Sequence, residues 1–289
     1  MGLKQQVRRV LTALATPIRH IGIGLLPERV FKHLHFTGPF TAKLPGGKSV
    51  TLYSWGNRVE NELAWRGWDG HEPLERRRWA DMVAGGGDIL DIGSNTATFA
   101  FTAKALSPDS RVVAFEPIKR IADRARKNRE VSGLDVEVVG AGMARKPGEL
   151  PIHDPGGENA YSASFDAEFL DGDKDSYIVP VYSVDSYCAE HGLEPAAIKM
   201  DVEGFEGEAI CGAEQTLKAG NCVILCEWLG KDGSHNEAMQ LLDRCGYTAL
   251  TIDTLEPTDL AYSPGFEERN VLLVPEQRIG EIRAKWSAF

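Results

Sequence analysis

Apolar residues recur along this chain in two rhythms. Near the N-terminus Leu3, Val7, Val10, Leu11 and Leu14 fall at i, i+4, i+7, i+8 and i+11, one stripe of a helix, while Lys4, Arg8 and Arg9 lie on its other faces. Around residues 38–57, Gly38-Pro39 and Pro45-Gly46-Gly47 punctuate short β-rich pieces, which predicts a small hairpin. A helix over 72–83 is closed by the run Gly85-Gly86-Gly87, which cannot continue it. From there short apolar strands and helices alternate: strand 88–92, helix 96–106, strand 111–115, helix 118–131 and strand 136–139. Between Pro147 and Pro180, where Gly, Asp and Pro are dense, the rhythm breaks into an irregular, partly β insertion. It resumes with helix 184–191, strand 197–202, helix 205–218, strand 222–226, helix 236–245 and strands 247–252 and 270–274.

Strands that alternate with helices imply βαβ units and a parallel sheet. The last two strands have no obvious helix between them and should pair antiparallel, so one antiparallel strand is expected at the end of the sheet. The chain then divides into residues 1–71, an amphipathic helix with a β lead-in, and residues 72–289, one domain of catalytic size.

The composition is that of a globular protein, 43% hydrophobic and 26% charged, and the 289 residues can bury a large core. Net charge is −10, the wrong sign for neutralising a phosphate backbone, so nucleic acid is not an expected partner. The imbalance is uneven. Residues 1–33 hold six basic side chains (Lys4, Arg8, Arg9, Arg19, Arg29, Lys32) and one acid (Glu28), +5 there and −15 for the rest. A basic amphipathic helix either docks on the main domain or lies on an anionic membrane surface. Cys188, Cys211, Cys222, Cys226 and Cys245 form no C-x-x-C pair and their odd number leaves a thiol over, which fits a reducing compartment. No run of 18 apolar residues occurs, and the opening segment is too short in its apolar run for a signal peptide, so a cytoplasmic protein is expected.

In a doubly wound sheet, ligands sit at the carboxyl ends of the strands. Three such turns carry chemistry. In Asp91-Ile92-Gly93-Ser94-Asn95-Thr96 a strand ends in a carboxylate and a glycine before a helix, with Ser94 and Asn95 as natural caps. The second, Glu116-Pro117, lies 23 residues past Gly93, where an acid can accept both hydroxyls of a ribose. Glycine turn plus acid implies an adenosine ligand. A pyrophosphate needs G-x-G-x-x-G, yet Asn95 and Thr98 stand at the second and third glycine positions. Asp91 would repel a diphosphate but suits the ammonium and sulfonium charges of S-adenosylmethionine, which favours that ligand over NAD. The third turn is Ile198-Lys199-Met200-Asp201-Val202-Glu203-Gly204. Alternation puts Lys199, Asp201 and Glu203 on one face of a strand expected to be buried, costly unless the charges serve one another or a ligand.

These residues resemble the FkbM family of S-adenosylmethionine-dependent methyltransferases. Asp91 to Asn95 is similar to its D-I-G-A-N, Phe115-Glu116-Pro117 to its F-E-P, and Ile198 to Glu206 to its I-K-I-D-V-E-G-x-E. Asn159 to Ser164, Val184-Asp185 and Gly212-Ala213 with Leu217 follow in the same order, so the likeness runs over residues 72–230. Two departures stand out: Ala97 replaces the last glycine of D-I-G-A-N-x-G, and Gly140-Ala141-Gly142 replaces N-x-A after the third strand. The resemblance implies a Rossmann-like class I methyltransferase fold, α/β, with a seven-stranded, mostly parallel sheet in the order 3-2-1-4-5-7-6 and helices on both faces. It also implies methyl transfer from S-adenosylmethionine to a hydroxyl on a small-molecule, sugar or glycolipid-type acceptor. Asp91, Gly93, Ser94, Asn95, Thr96, Glu116 and Pro117 are then the expected cofactor contacts, with Met143 covering the adenine.

Methyl transfer needs alignment and exclusion of water, and an alkyl hydroxyl must also lose its proton. Asp201 or Glu203 is the expected general base, with His235, which follows the fifth strand, as an alternative beside His153 and His191. A divalent cation between Asp201 and Glu203 is a rival, though no metal-ligand pattern is legible. Trp65 and Trp68 either stack on a sugar or pack in the core. The insertion over 150–180 is expected to cover the acceptor. A binding module without turnover and an NAD-dependent oxidoreductase are the alternative functions.

Overall fold

The computed structural model describes residue 35 and residues 37–156, 164–165, 175–229, 233–261 and 269–286. The amphipathic stripe from Leu3 to Leu14, with any membrane contact it makes, lies outside the described residues.

Strands β1 (Thr37–Lys43) and β2 (Ser49–Trp55) form the expected hairpin, followed by helices α1 (Arg58–Arg66) and α2 (Pro73–Val83). Then β3 (Asp88–Ile92), α3 (Thr98–Leu106), β4 (Arg111–Phe115), α4 (Lys119–Ser132) and β5 (Glu137–Val139) alternate. The short β6 (Gly142–Met143) precedes the insertion, which contributes β7 (Gly148–Asp154) and β8 (Asp175–Tyr182). After it come α5 (Val184–His191), β9 (Pro195–Met200), α6 (Glu206–Cys211), α7 (Glu214–Ala219), β10 (Val223–Trp228), α8 (Gly233–Arg244), β11 (Tyr247–Thr251), β12 (Arg269–Pro275) and α9 (Ile279–Lys285).

Seven strands make one sheet in the order β11-β12-β10-β9-β3-β4-β5. Numbered among themselves, they read 3-2-1-4-5-7-6 from β5. The pairs β3–β4, β3–β9, β4–β5 and β9–β10 are parallel, and only β12 runs against its neighbours. That strand is not at the end of the sheet: β12 lies between β10 and β11, and β11 forms the edge. The fold is thus the Rossmann-like class I methyltransferase arrangement.

Alternate strand residues feed two cores. Ile89, Val112, Ala114, Ala197 and Leu225 pack with the β1–β2 hairpin and α1 to α3, while Leu90, Val113, Ile198, Met200 and Ile224 pack with α5 to α8. Both faces are therefore covered, which is why the central strands read as nearly unbroken apolar runs. Phe40, Ala42, Val50 and Leu52 of the hairpin belong to the first of these cores.

Three local departures from the sequence reading bear on the site. Helix α1 was not anticipated from the pattern. The helix expected over 205–218 is two, α6 and α7, broken at Gly212, where a Cβ would overlap the carbonyl of Ala144. Strand β9 ends at Met200, so Asp201 and Glu203 lie beyond it in the turn, and strand alternation does not orient them. The insertion is a hairpin, β7 antiparallel to β8, joined by β6 into a separate three-stranded sheet. No helix among the described residues is long and apolar enough to cross a membrane.

Candidate functional site

The turn after β3 is built by long-range contacts. Gly93 and Ser94 both donate their N–H to the carbonyl of Phe115, and Asp201 N–H donates to that of Ile92 at 3.0 Å. Gly93 (φ 74) lies so close to Asp201 that a Cβ would overlap its carbonyl oxygen. Asn95, Ala97, Glu203 and Glu72 take φ values of 51, 61, 54 and 49, four of the five non-glycine residues with left-handed backbone among those described. Such conformations cost energy, and here they gather around one cleft. At position 97 the chain thus keeps the glycine-like backbone with alanine. The expected caps, Ser94 and Asn95, do not cap α3. Asp91 does so from the strand, its Oδ2 accepting the N–H of Ala100 at 2.9 Å, and Ser94 Oγ is buried without a partner.

Two adjoining cavities open at this edge of the sheet. The first, about 630 Å³, is lined by Gly93, Asn95, Glu116, Pro117, Met143 and Phe165, with Ile118, Ile121 and Ile152. Glu116 accepts the N–H of Asn95 at 3.0 Å and of Ile118 at 2.8 Å, one on each oxygen, so each keeps a further lone pair for a ligand hydroxyl. Burial pushes its pKa up to about 8 despite these two bonds. Gly142 leaves the space that the Phe165 ring fills, and buried Met143 follows it on β6. An acid beneath apolar walls, beside a backbone with no room for a side chain, fits the adenosine of S-adenosylmethionine.

The second cavity, about 870 Å³, is highly charged: Arg58, His71, Glu72, Arg76, Asp91, Lys199, Asp201, Glu203 and Glu227 line it. Lys199 Nζ donates to Asp201 Oδ2 at 2.8 Å and lies 4.6 Å from the centre of the Phe99 ring; Arg76 lies 4.3 Å from that ring. Burial opposes the charge on Lys199, but Asp201, Glu72 and Asp91 outweigh it and raise its pKa. Burial likewise opposes ionisation of Asp201, yet Lys199 and a hydrogen bond to Glu227 hold its pKa below normal. Asp91 is pushed up to about 6, burial prevailing over Lys199. His71 bonds Glu62 at 2.8 Å and Glu72 at 3.0 Å; these bonds overcome burial and raise its pKa, while Glu72 is held at about 2.

Gly93, Asn95, Asp201 and Glu203 line both cavities, Glu116, Pro117 and Met143 the first, and Asp91, Ser94 and Thr96 the second. The Thr96 hydroxyl, however, donates to buried Glu60 at 2.7 Å, and the Thr96 carbonyl accepts from Asn128, which fastens the turn to α1 and α4. His235 lines neither cavity. It is buried edge-on to Trp228 and bonded to Glu206 at 3.2 Å. His153 bonds Ser176 on the β7–β8 hairpin, and His191 stacks on Tyr187. Trp65 and Trp68 are buried in the core. From the insertion, Ile152 and Phe165 line the first cavity, and none of its described residues lines the second. His71, Glu72 and Arg76 escaped the sequence reading because no motif marks them. Glu227 carried a signal, as the acid that ends the fifth strand of the alternation. Among the described residues no cluster of three His, Cys, Asp or Glu has metal-site geometry.

A family model described as the methyltransferase FkbM domain matches residues 91–249, more than half of the 289-residue chain. No curated protein matches it by sequence. Among solved structures it is similar to a precorrin-6y C5,15-methyltransferase from Geobacter metallireducens (17% identity, 68% of this chain, 84% of that one, TM-score 0.39). It is similar also to an O-methyltransferase from Bacillus cereus in complex with SAH (14%, 92% and 98%, 0.42). A third is a methyltransferase FkbM from Methylobacillus flagellatus (13%, 90% and 58%, 0.36), of which this chain spans less than two thirds. At these identities and scores none of them bears on the acceptor.

Proposed function

The chain belongs to the FkbM family of S-adenosylmethionine-dependent methyltransferases, and on that premise we propose that it methylates a hydroxyl of a polar, sugar-like small molecule. The observation that carries this reading is the position of Asp201 and Glu203, which line both the cofactor-side cavity and the charged one. A carboxylate at that junction reaches the acceptor's hydroxyl where the methyl group arrives. The charged walls of the second cavity favour a hydroxyl-rich acceptor over a lipid or polyketide chain, which would desolvate those charges without offering them hydrogen bonds.

In this mechanism Glu116 would accept the ribose hydroxyls of the cofactor, Met143, Ile118 and Phe165 would hold its adenine, and Gly93, Asn95 and Asp91 would hold its methionine end. S-adenosylmethionine, when bound, supplies an electrophilic methyl group on a sulfonium. Asp201 takes the hydroxyl proton as the acceptor oxygen attacks, and Glu203, held by the Ser164 hydroxyl at its carbonyl (2.7 Å), shapes the passage between the cavities. His235 acts at a distance, through Glu206, which also accepts the Gly204 N–H at 2.9 Å.

The test is mass spectrometry of hydroxyl-bearing acceptors and of a cell extract incubated with the protein and methyl-labelled S-adenosylmethionine. A labelled O-methyl product is expected, and Asp201→Asn should reduce its rate by about 10²–10⁴, the usual worth of a general base. A product labelled on nitrogen or carbon, or full activity in Asp201→Asn, overturns the reading.

A further inference from the structure

The basic side chains that line the charged cavity differ in their partners. Arg58 pairs with Glu62 at 3.1 Å, His71 with Glu62 and Glu72, and Lys199 with Asp201 at 2.8 Å. Arg76 is 2% exposed, yet it has no ion-pair partner among the described residues. Neutral groups hold its guanidinium instead. Nε donates to the carbonyl of His71 at 2.8 Å, Nη2 donates to the hydroxyl of Thr98 at 3.0 Å, and the group lies 4.3 Å from the centre of the Phe99 ring. The N–H groups of Nη1 have no acceptor among the described residues. Burial pulls the pKa of Arg76 down to about 10, against the longer-range pull of Glu72, Asp91, Glu75 and Glu60. A cation held rigidly in a cavity wall, with donors to spare and no carboxylate on them, suits the anionic group of a ligand.

The place of Arg76 in the fold points to which anion. Thr98, whose hydroxyl it holds, and Ala100, whose N–H Asp91 accepts at 2.9 Å, are both in the first turn of α3. A guanidinium from α2 and a carboxylate from β3 therefore meet at one helical turn, in the cavity that Gly93, Ser94 and Asn95 also line. Asp91 Oδ1 has no hydrogen-bond partner among the described residues. Neighbouring opposite charges of this kind match an α-amino acid, which carries its ammonium and its carboxylate on one carbon.

We propose that Arg76 anchors the α-carboxylate of the cofactor's methionine end, with Asp91 on its α-ammonium, and that the protein thereby selects S-adenosylmethionine and SAH over adenosyl thioethers that lack the carboxylate. Arg76 lies outside residues 91–249, so the match to the family does not assign it this role. The inference rests on the cofactor and is independent of the acceptor. A planar fork already fixed by His71, Thr98 and Phe99 loses little freedom when it takes a carboxylate through two parallel hydrogen bonds, which an ammonium in its place would not reproduce.

Calorimetry on the whole protein tests this with SAH, with decarboxylated SAH, which keeps the ammonium, and with 5′-methylthioadenosine, which has neither charge. Wild type should bind SAH at least about tenfold more tightly than decarboxylated SAH, the worth of hydrogen bonds to a charged group. Arg76→Gln should lose at least about tenfold for SAH and stay within about threefold of wild type for the other two ligands, so that the preference disappears. Arg76→Lys, which keeps the charge without the fork, should fall between the two. Intact 5′-methylthioadenosine binding also shows that each variant is folded. A parallel loss for all the ligands makes Arg76 a structural residue and overturns the anchor. Should Arg76→Gln not fold, the wild-type comparison decides, since equal affinity for SAH and its decarboxylated form overturns the anchor and a tenfold preference supports it. Full SAH affinity in Arg76→Gln, with a raised KM for the acceptor, would put the guanidinium on the acceptor and overturn it too. Failure to find a methylated acceptor touches only the functional reading above, because these titrations use none.

Discussion

The α-carbon of Gly93 faces the carbonyl oxygen of Asp201 with no space between them for a methyl group. The turns after β3 and β9 are thereby locked at one distance. Gly93→Ala combines overlap with a side chain at φ 74 and should cost about 3 kcal/mol or more. Denaturant unfolding measures the loss, and calorimetry should find SAH binding abolished.

Glu116 makes stability depend on pH. Its folded pKa of about 8 lies above the ordinary 4.5, so the folded state binds the proton more tightly than the unfolded one. The contribution is present below about pH 4.5 and is lost as pH rises towards 8. Glu116→Gln should flatten that slope, narrowing the difference in unfolding free energy between pH 5 and 8 by more than about 1.4 kcal/mol, the worth of one pKa unit. Above pH 8, where Glu116 is ionised, the same variant should bind SAH at least tenfold more weakly, since hydrogen bonds to a charged group contribute about 1.5–3 kcal/mol.

At Ala97 two costs oppose each other. Left-handed backbone (φ 61) costs an L-residue about 1–2 kcal/mol, and its buried methyl contributes about 0.8 kcal/mol. Ala97→Gly should therefore change stability by less than about 1 kcal/mol. Ala103→Gly, equally buried but inside α3, should cost about 2 kcal/mol. Urea unfolding of the two variants makes the comparison.

His235 and Glu206 are bonded and almost wholly buried outside both cavities. His235→Ala should destabilise the fold by about 1–3 kcal/mol, the penalty for a buried polar group left unpaired. The shape of its pH–rate profile should match wild type. Loss of the acidic limb in this variant would instead make His235 the base.

Much of the architecture is legible from periodicity. The nearly unbroken apolar runs at Ile89, Val112, Ile198 and Ile224 mark strands covered on both faces, and the missing helix before β12 marks the antiparallel strand. The turns that line the two cavities were legible too, because Asp91, Gly93 and Glu116 sit at strand ends, where local sequence fixes the turn. Less legible were the cap of α3, which comes from Asp91 rather than Ser94, and the place of Glu203. Its left-handed backbone breaks the alternation on which its expected orientation rested.

By itself the sequence determined the strands, their parallel run and the acid-and-glycine turns at the carboxyl edge of the sheet, all set within a few residues by side-chain period and turn chemistry. Only the tertiary structure decided the charged cavity. His71, Glu72 and Arg76 meet Lys199, Asp201 and Glu227 because the start of α2 reaches the carboxyl edge of β9 and β10. The same packing sends His235 to the core beside Trp228. Contacts between residues more than a hundred positions apart leave no local periodicity to read; what joins them is the burial of charge that must find its partners in three dimensions.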